Sequence, residues 1–251
     1  LELGGKSAQV VLGDVSEDHA RSIGFGEVLT HCGQGCVLKT RLLLPEHLLD
    51  AYKEGVAAAY PTVRIGDPRD PSTVLGPLIR ERQRERVEGY VASALDDGAE
   101  LLCGGRRPEG FDTGFFYEPT VVVGRNDMRI AQEEVFGPVL TVVPYSGADE
   151  DAVAIANDSI YGLGGAVVSA STARAFNVAR QIRAGHLTVQ GLDAPPAPGS
   201  KGYGQGPGWG EDMKGIGQSG AFGGYKQSGL GREWGHHGIE DFTEVKNIVW
   251  S

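Results

Sequence analysis

Short apolar runs alternate with amphipathic stretches along most of this chain, and that alternation limits its architecture more than any single residue does. Residues 8–12, 41–44, 99–103, 120–123, 139–144, 165–169 and 186–190 have the length and β-branched content of strands. Between the first two, Ser16 followed by Glu17 and Asp18 predicts a capped helix running to Leu29. Further helices are expected over 47–60, 80–97 (closed by Gly98), 150–157 and 172–182. Strands alternating with helices predict an α/β fold, a mostly parallel sheet with helices on both faces. The main domain is expected over 1–230. Residues 231–251 then supply a C-terminal helix and an extended strand over 243–250, which needs a partner edge in this fold or in another subunit.

Glycine interrupts this pattern. Its 39 copies in 251 residues exceed twice the usual share of roughly 7%. Over 191–224 glycine and proline dominate and no apolar period survives, so a long loop is expected there, either a linker or the wall of a ligand site. The 33 acidic against 23 basic residues give a net charge of −10, which disfavours nucleic acid and anionic membrane as partners. The basic run 80–86 is interleaved with Glu81 and Glu85 and reads as a solvated helix face. Three cysteines are too few for a disulfide scaffold and point to a reducing, cytoplasmic setting. No apolar run approaches the ~18 residues that span a bilayer. The chain opens at Leu1 inside a motif, so it is expected to be a fragment, a processed product or half of a longer polypeptide.

Two segments could carry chemistry. In Gly33-Gln34-Gly35-Cys36 a cysteine follows flexible, amide-exposing backbone, the setting a nucleophilic thiol needs, although a lone cysteine is equally a small buried hydrophobe. Cys32, four residues earlier, offers a resolving thiol as an alternative. In Leu1-Glu2-Leu3-Gly4-Gly5-Lys6-Ser7 a glutamate sits between leucines, where desolvation would raise its pKa towards that of a general base; the alternative is an ordinary solvated glutamate. Gly5-Lys6-Ser7 has the ending of a phosphate-binding loop but lacks the preceding strand and glycine. No metal site is expected.

Taken together, these segments resemble the paired active-site signatures of the aldehyde dehydrogenase superfamily, with the cysteine 34 positions after the glutamate. Further matches follow in order: Gly66-Asp67-Pro68, Leu75-Gly76-Pro77, Glu118-Pro119-Thr120, Glu133-Glu134-Val135-Phe136-Gly137-Pro138, Phe222-Gly223-Gly224, Ser228-Gly229, Gly231-Arg232-Glu233 and Thr243-Glu244-Val245-Lys246. The resemblance implies NAD(P)-dependent oxidation of an aldehyde to a carboxylic acid. Cys36 would be the nucleophile, Glu2 the base that activates water, and Glu233 a carboxylate in the proton path. Glu134 and Phe136 would hold the nicotinamide ribose of NAD or NADP, Leu3 would offer a backbone contact, and Phe222 would wall the aldehyde pocket. It also implies a nucleotide-binding half, in the same enzyme or a separate chain, and a homo-oligomer. Two rival readings stand beside it: a cofactor-independent thiol esterase, and a non-catalytic docking or assembly fragment.

Overall fold

Leu42, Leu43 and Leu44 are all wholly buried, as consecutive residues of one strand can be only where both faces of the sheet are covered. The computed structural model describes residues 1–193 and 220–250. Its main sheet contains β1 (Ala8–Val11), β2 (Arg41–Pro45), β3 (Glu100–Cys103), β4 (Thr120–Val123), β5 (Val139–Tyr145), β7 (Gly164–Ser169) and β8 (His186–Gly191). They lie in the order β3-β4-β5-β2-β1-β7-β8. Every adjacent pair is parallel except β3 with β4. A small antiparallel pair, β6 (Tyr161–Gly162) with β9 (Tyr225–Lys226), joins two distant parts of the chain.

Among the described residues the helices are α1 (Glu17–Ala20), α2 (Leu49–Ala59), α3 (Glu81–Asp96), α4 (Arg129–Gln132), α5 (Asp149–Asn157), α6 (Thr172–Ala179) and α7 (Gly235–Glu240). Side chains on alternate faces of β2 decide which helices cover which side. Leu42 and Leu44 pack with Tyr52 and Val56 of α2. Leu43 packs on the other face with Ala152 of α5 and Val178 of α6. Helix α3 covers β4 and β5 through Val87, Tyr90 and Val91 against Val122 and Val139. The expected mostly parallel sheet with helices on both faces is what the chain forms.

Three expectations need correction. The helix expected over 16–29 stops after α1, although Ser16 caps it as expected, its Oγ accepting from the His19 amide. Gly24 at φ +81° turns the chain, and short 3-10 segments follow at Phe25–Val28 and Thr30–Gly33. The C-terminal helix is shorter than 231–242, spanning Gly235–Glu240. Residues 243–250 pair with no strand among the described residues, and Val245, Val249 and Trp250 are exposed. Of the loop expected over 191–224, residues 194–219 lie outside the described residues, and with them its proposed role. Among the described residues no helix is long and apolar enough to cross a membrane.

Candidate active site

The nucleophile segment and the base segment meet above the sheet because each leads directly into a central strand. Residues after Ser7 enter β1, those after Thr40 enter β2, and these strands are parallel neighbours, so residues 1–6 and 36–40 lie at the same end of the sheet. Backbone crowding sets their separation. A Cβ added to Gly5 would lie 2.3 Å from the carbonyl oxygen of Cys36, closer than side-chain carbons ever stand, so only glycine allows this approach. Gly5→Ala is therefore expected to force the two arms apart at about 1–3 kcal/mol of stability. It should also lower the reactivity of Cys36 towards an alkylating agent, followed by the rate of thiol labelling; unchanged labelling would contradict the close packing.

The approach to Cys36 is built from left-handed backbone. His31, Cys32 and Gly33 have φ of 48°, 57° and 69°. Gln34 then fastens the loop, its Oε1 accepting from the Ile79 amide at 3.0 Å and its Nε2 donating to the His31 carbonyl at 3.3 Å. Cys36 emerges half-buried. Burial pushes its thiol pKa up, and the Glu134 and Glu2 carboxylates push it further in the same direction. Backbone hydrogen bonds from Cys36 and Val37 oppose that shift, so amide dipoles are aimed at the sulfur. Cys32 is not joined to Cys36: both are free thiols, and the Cys32 Sγ donates to the Gly76 carbonyl at 3.4 Å.

Glu2 lies near the surface, and its flanking Leu1 and Leu3 are exposed rather than packed around it. Its pKa is nevertheless raised, first by partial burial and then by the Glu233 carboxylate, with which it shares a side-chain hydrogen bond. Two carboxyls in contact favour one shared proton. Glu233 is held there by backbone pairing with Phe222, each amide donating to the other's carbonyl at 2.7 Å. The buried Phe222 ring packs against Trp234 and His186, with ring centres 5.5 and 6.1 Å away.

Glu134 forms the other wall. Its Oε1 accepts from the Gly5 amide at 3.0 Å, and its Oε2 would meet a Cβ on Gly4 at 2.9 Å. Phe136 follows at φ 59°, its carbonyl accepting from the Gln83 side-chain Nε2 at 2.7 Å. The structure thus gathers Cys36, Glu2, Glu134 and Glu233 about one region, with Phe222 behind Glu233. Leu3 is placed by its amide, which donates to the Ser228 carbonyl at 2.8 Å. Among the described residues no cluster of histidine, cysteine or carboxylate side chains could hold a metal.

Two organising residues lie in motifs noted in the sequence but had no role assigned from it. Ser228 is wholly buried, donates its hydroxyl to the Gly4 carbonyl at 2.8 Å and accepts from the Gly162 amide at 3.0 Å, strapping the base segment to the β6–β9 pair. Lys6 is buried beneath Glu134, and burial lowers its pKa to about 7. The Gly5-Lys6-Ser7 run leads into a strand rather than a helix, so the phosphate-loop reading fails on topology.

Comparison with known proteins agrees with this fold. The description "Aldehyde dehydrogenase family" matches residues 1–213 and 208–248. A Staphylococcus haemolyticus protein classed provisionally as an aldehyde dehydrogenase is 41% identical across 99% of this chain, which covers 48% of that protein. The crystal structure of a Mycobacterium tuberculosis aldehyde dehydrogenase complexed with NAD+ superposes with a TM-score of 0.81 at 44% identity, covering 97% of this chain and 46% of that one. Aldehyde dehydrogenase C of Pseudomonas syringae, as a cysteine-to-alanine mutant complexed with NAD+ and octanal, gives 0.83 at 37% identity, over 98% of this chain and 46% of that one. The chain spans about half the length of the relatives it matches. By sequence and by fold, it belongs to the aldehyde dehydrogenase family.

Proposed function

We propose that this chain supplies the catalytic part of an NAD(P)-dependent aldehyde dehydrogenase, oxidising an aldehyde to a carboxylic acid. The observation that carries the reading is the meeting of a half-buried thiol and a raised-pKa carboxylate across the Gly5–Cys36 contact. Cys36 Sγ, as thiolate, adds to the aldehyde carbon, and the resulting oxyanion of the thiohemiacetal is stabilised by the Cys36 amide, a type of contact worth roughly 3 kcal/mol. The cofactor, when bound, supplies the hydride acceptor that takes this adduct to a thioester. Glu2 then removes a proton from water, the resulting hydroxide attacks the thioester carbon, and the carboxylic acid leaves as the Cys36 thiolate is released. Glu233, hydrogen-bonded to Glu2, gives that proton a path towards solvent.

The residues present fit the nicotinamide end of the cofactor. Gly4 and Gly5 let the backbone pass close to Glu134, whose Oε1 is held by the Gly5 amide while its Oε2 would accept from a ribose hydroxyl. Phe136 and the backbone of Leu3 would complete this end of the site. The remaining contacts would come from a nucleotide-binding half, in the same enzyme or a separate chain, for which exposed Leu1, Ile79 and Leu230 offer apolar surface. Residues 1–230 act as the catalytic domain, and 231–251 as a segment that adds its exposed strand to another subunit of a homo-oligomer, in a cytoplasmic setting.

Mixing the chain with a separately made nucleotide-binding half of a relative tests this reading. Aldehyde-dependent reduction of NAD should appear in the mixture and in neither part alone. Its absence from a mixture that forms a stable complex would favour a docking role. A thiol esterase remains a second reading, since Cys36 and Glu2 both reside in this chain and acyl transfer needs no nicotinamide.

Glu2→Gln provides a further test. It should spare the acylation burst with an activated ester but slow the steady state, because activating water is the later task. In the unaltered chain, deacylation should fall as pH drops through a Glu2 pKa above the usual carboxylate range, since only the ionised form acts as base. A steady-state rate left intact by the substitution would remove Glu2 from this role.

A further inference from the structure

Beneath the active site, the cleft between β1, β2 and the chain leading into β7 is lined by Lys6, Ser7 and Arg41, with Tyr161, Gly162 and Arg183 closing it. Lys6 and Arg41 are 2% and 1% exposed. The Lys6 Nζ, the Ser7 Oγ and the Arg41 Nε are each buried with no hydrogen-bond partner among the described protein groups. The other guanidinium nitrogens of Arg41 are committed, donating to Asn126 Oδ1 at 2.7 Å and to the carbonyls of Ile155, Ala156 and Asp158 at 3.1, 3.0 and 3.3 Å. No carboxylate lines the cleft. Donors of one kind therefore converge on a space with room for about one water-sized occupant.

We infer that this cleft is a binding site for a small anion of halide size, held by Lys6 Nζ, Ser7 Oγ and Arg41 Nε. The surrounding charge favours an anion over water. Lys6 and Arg41 repel one another, Arg183 lines the same space, and the positive field of Arg41 and Arg183 reaches Lys226. Against these four cations stand Glu134, which acts on Lys6, and Asp158, which acts on Arg41. Two buried like charges facing a cleft whose lining holds no carboxylate are costly, and one anion there offsets both. The site would also tie the Leu1–Ser7 arm, which carries Glu2 and packs against Glu134, to the strand that follows Cys36. Its occupancy would then bear on how firmly both arms are held.

The test uses bromide, which scatters anomalously, on the unaltered chain. Crystals grown near pH 6 in sodium bromide should show an anomalous peak in contact with Lys6 Nζ and Arg41 Nε. In solution, chloride and bromide should raise the melting temperature more than methanesulfonate at equal ionic strength, because the larger anion does not fit. Lys6 has a pKa of about 7 without an anion, so apparent halide affinity should fall about tenfold per pH unit above that value, until the anion-bound lysine itself titrates. Lys6→Met should abolish the peak. Should that variant fail to fold, the pH series on the unaltered chain decides. Density without anomalous signal, or equal stabilisation by all three anions at every pH, would assign the cleft to water and overturn the proposal.

Discussion

Cys36→Ala is expected to abolish turnover, both of an activated ester by this chain and of an aldehyde once a nucleotide-binding half is supplied. The loss should be about three orders of magnitude or more, because removing a covalent nucleophile deletes the reaction path rather than weakening one contact. The other two thiols make the comparison specific. Cys32, which donates to the Gly76 carbonyl, and Cys103, at the end of β3 beside the Pro119 carbonyl, do not feel the Glu2 carboxylate, whereas Cys36 does. Cys32→Ala and Cys103→Ala should retain most of the activity, measured as steady-state ester hydrolysis. Burial and the Glu134 and Glu2 carboxylates raise the Cys36 pKa, so the acylation rate should climb with pH beyond the usual thiol range. Activity surviving Cys36→Ala would move the nucleophile elsewhere.

The largest effect on stability is expected from Arg41→Met, at about 3–5 kcal/mol. Arg41 sits at the start of β2, and its guanidinium caps the C-terminal carbonyls of α5 while gripping Asn126. A methionine fills similar volume but leaves the Ala156 carbonyl and Asn126 Oδ1 without the donor that Arg41 supplies. Lys53→Ala provides the contrast. The Lys53–Glu100 bridge, 2.7 Å long, stands in solvent, so its loss should cost under about 1 kcal/mol. Urea midpoints of the two variants, read side by side, check the prediction. Equal midpoints would mean that the Arg41 network contributes nothing beyond an exposed pair.

The features legible in the sequence are those that local chemistry writes. Leu42-Leu43-Leu44 announces a strand covered on both sides, and Ser16 with Glu17 and Asp18 announces a helix start. Where that helix ends was not legible, because Gly24 at φ +81° and the left-handed run at His31 and Cys32 answer to packing across the sheet rather than to propensity. The antiparallel edge strand β3 was equally hidden, since the direction of a strand depends on its neighbour and not on its residues. Cys36 and Glu2 could be named from motif spacing, but their meeting depends on the Gly5–Cys36 backbone contact. Ser228 and Lys6 could not be assigned roles at all. One acts on Gly4 across 224 positions, and the other gains its low pKa only from complete burial. The leucines around Glu2 suggested an apolar pocket, yet they are exposed; partial burial still raises the Glu2 pKa most, and the Glu233 carboxylate, 231 positions away in the chain, adds to it.

The most direct test of a shared Cys36–Glu2 site is peptide mapping of the Glu2→Gln variant quenched during reaction with an activated acetate ester. One acetyl group should accumulate on Cys36 and persist, because its removal lacks a base, whereas the unaltered chain should lose it rapidly. Acetyl found on Cys32 or Cys103, or lost equally fast from both proteins, would contradict the assignment.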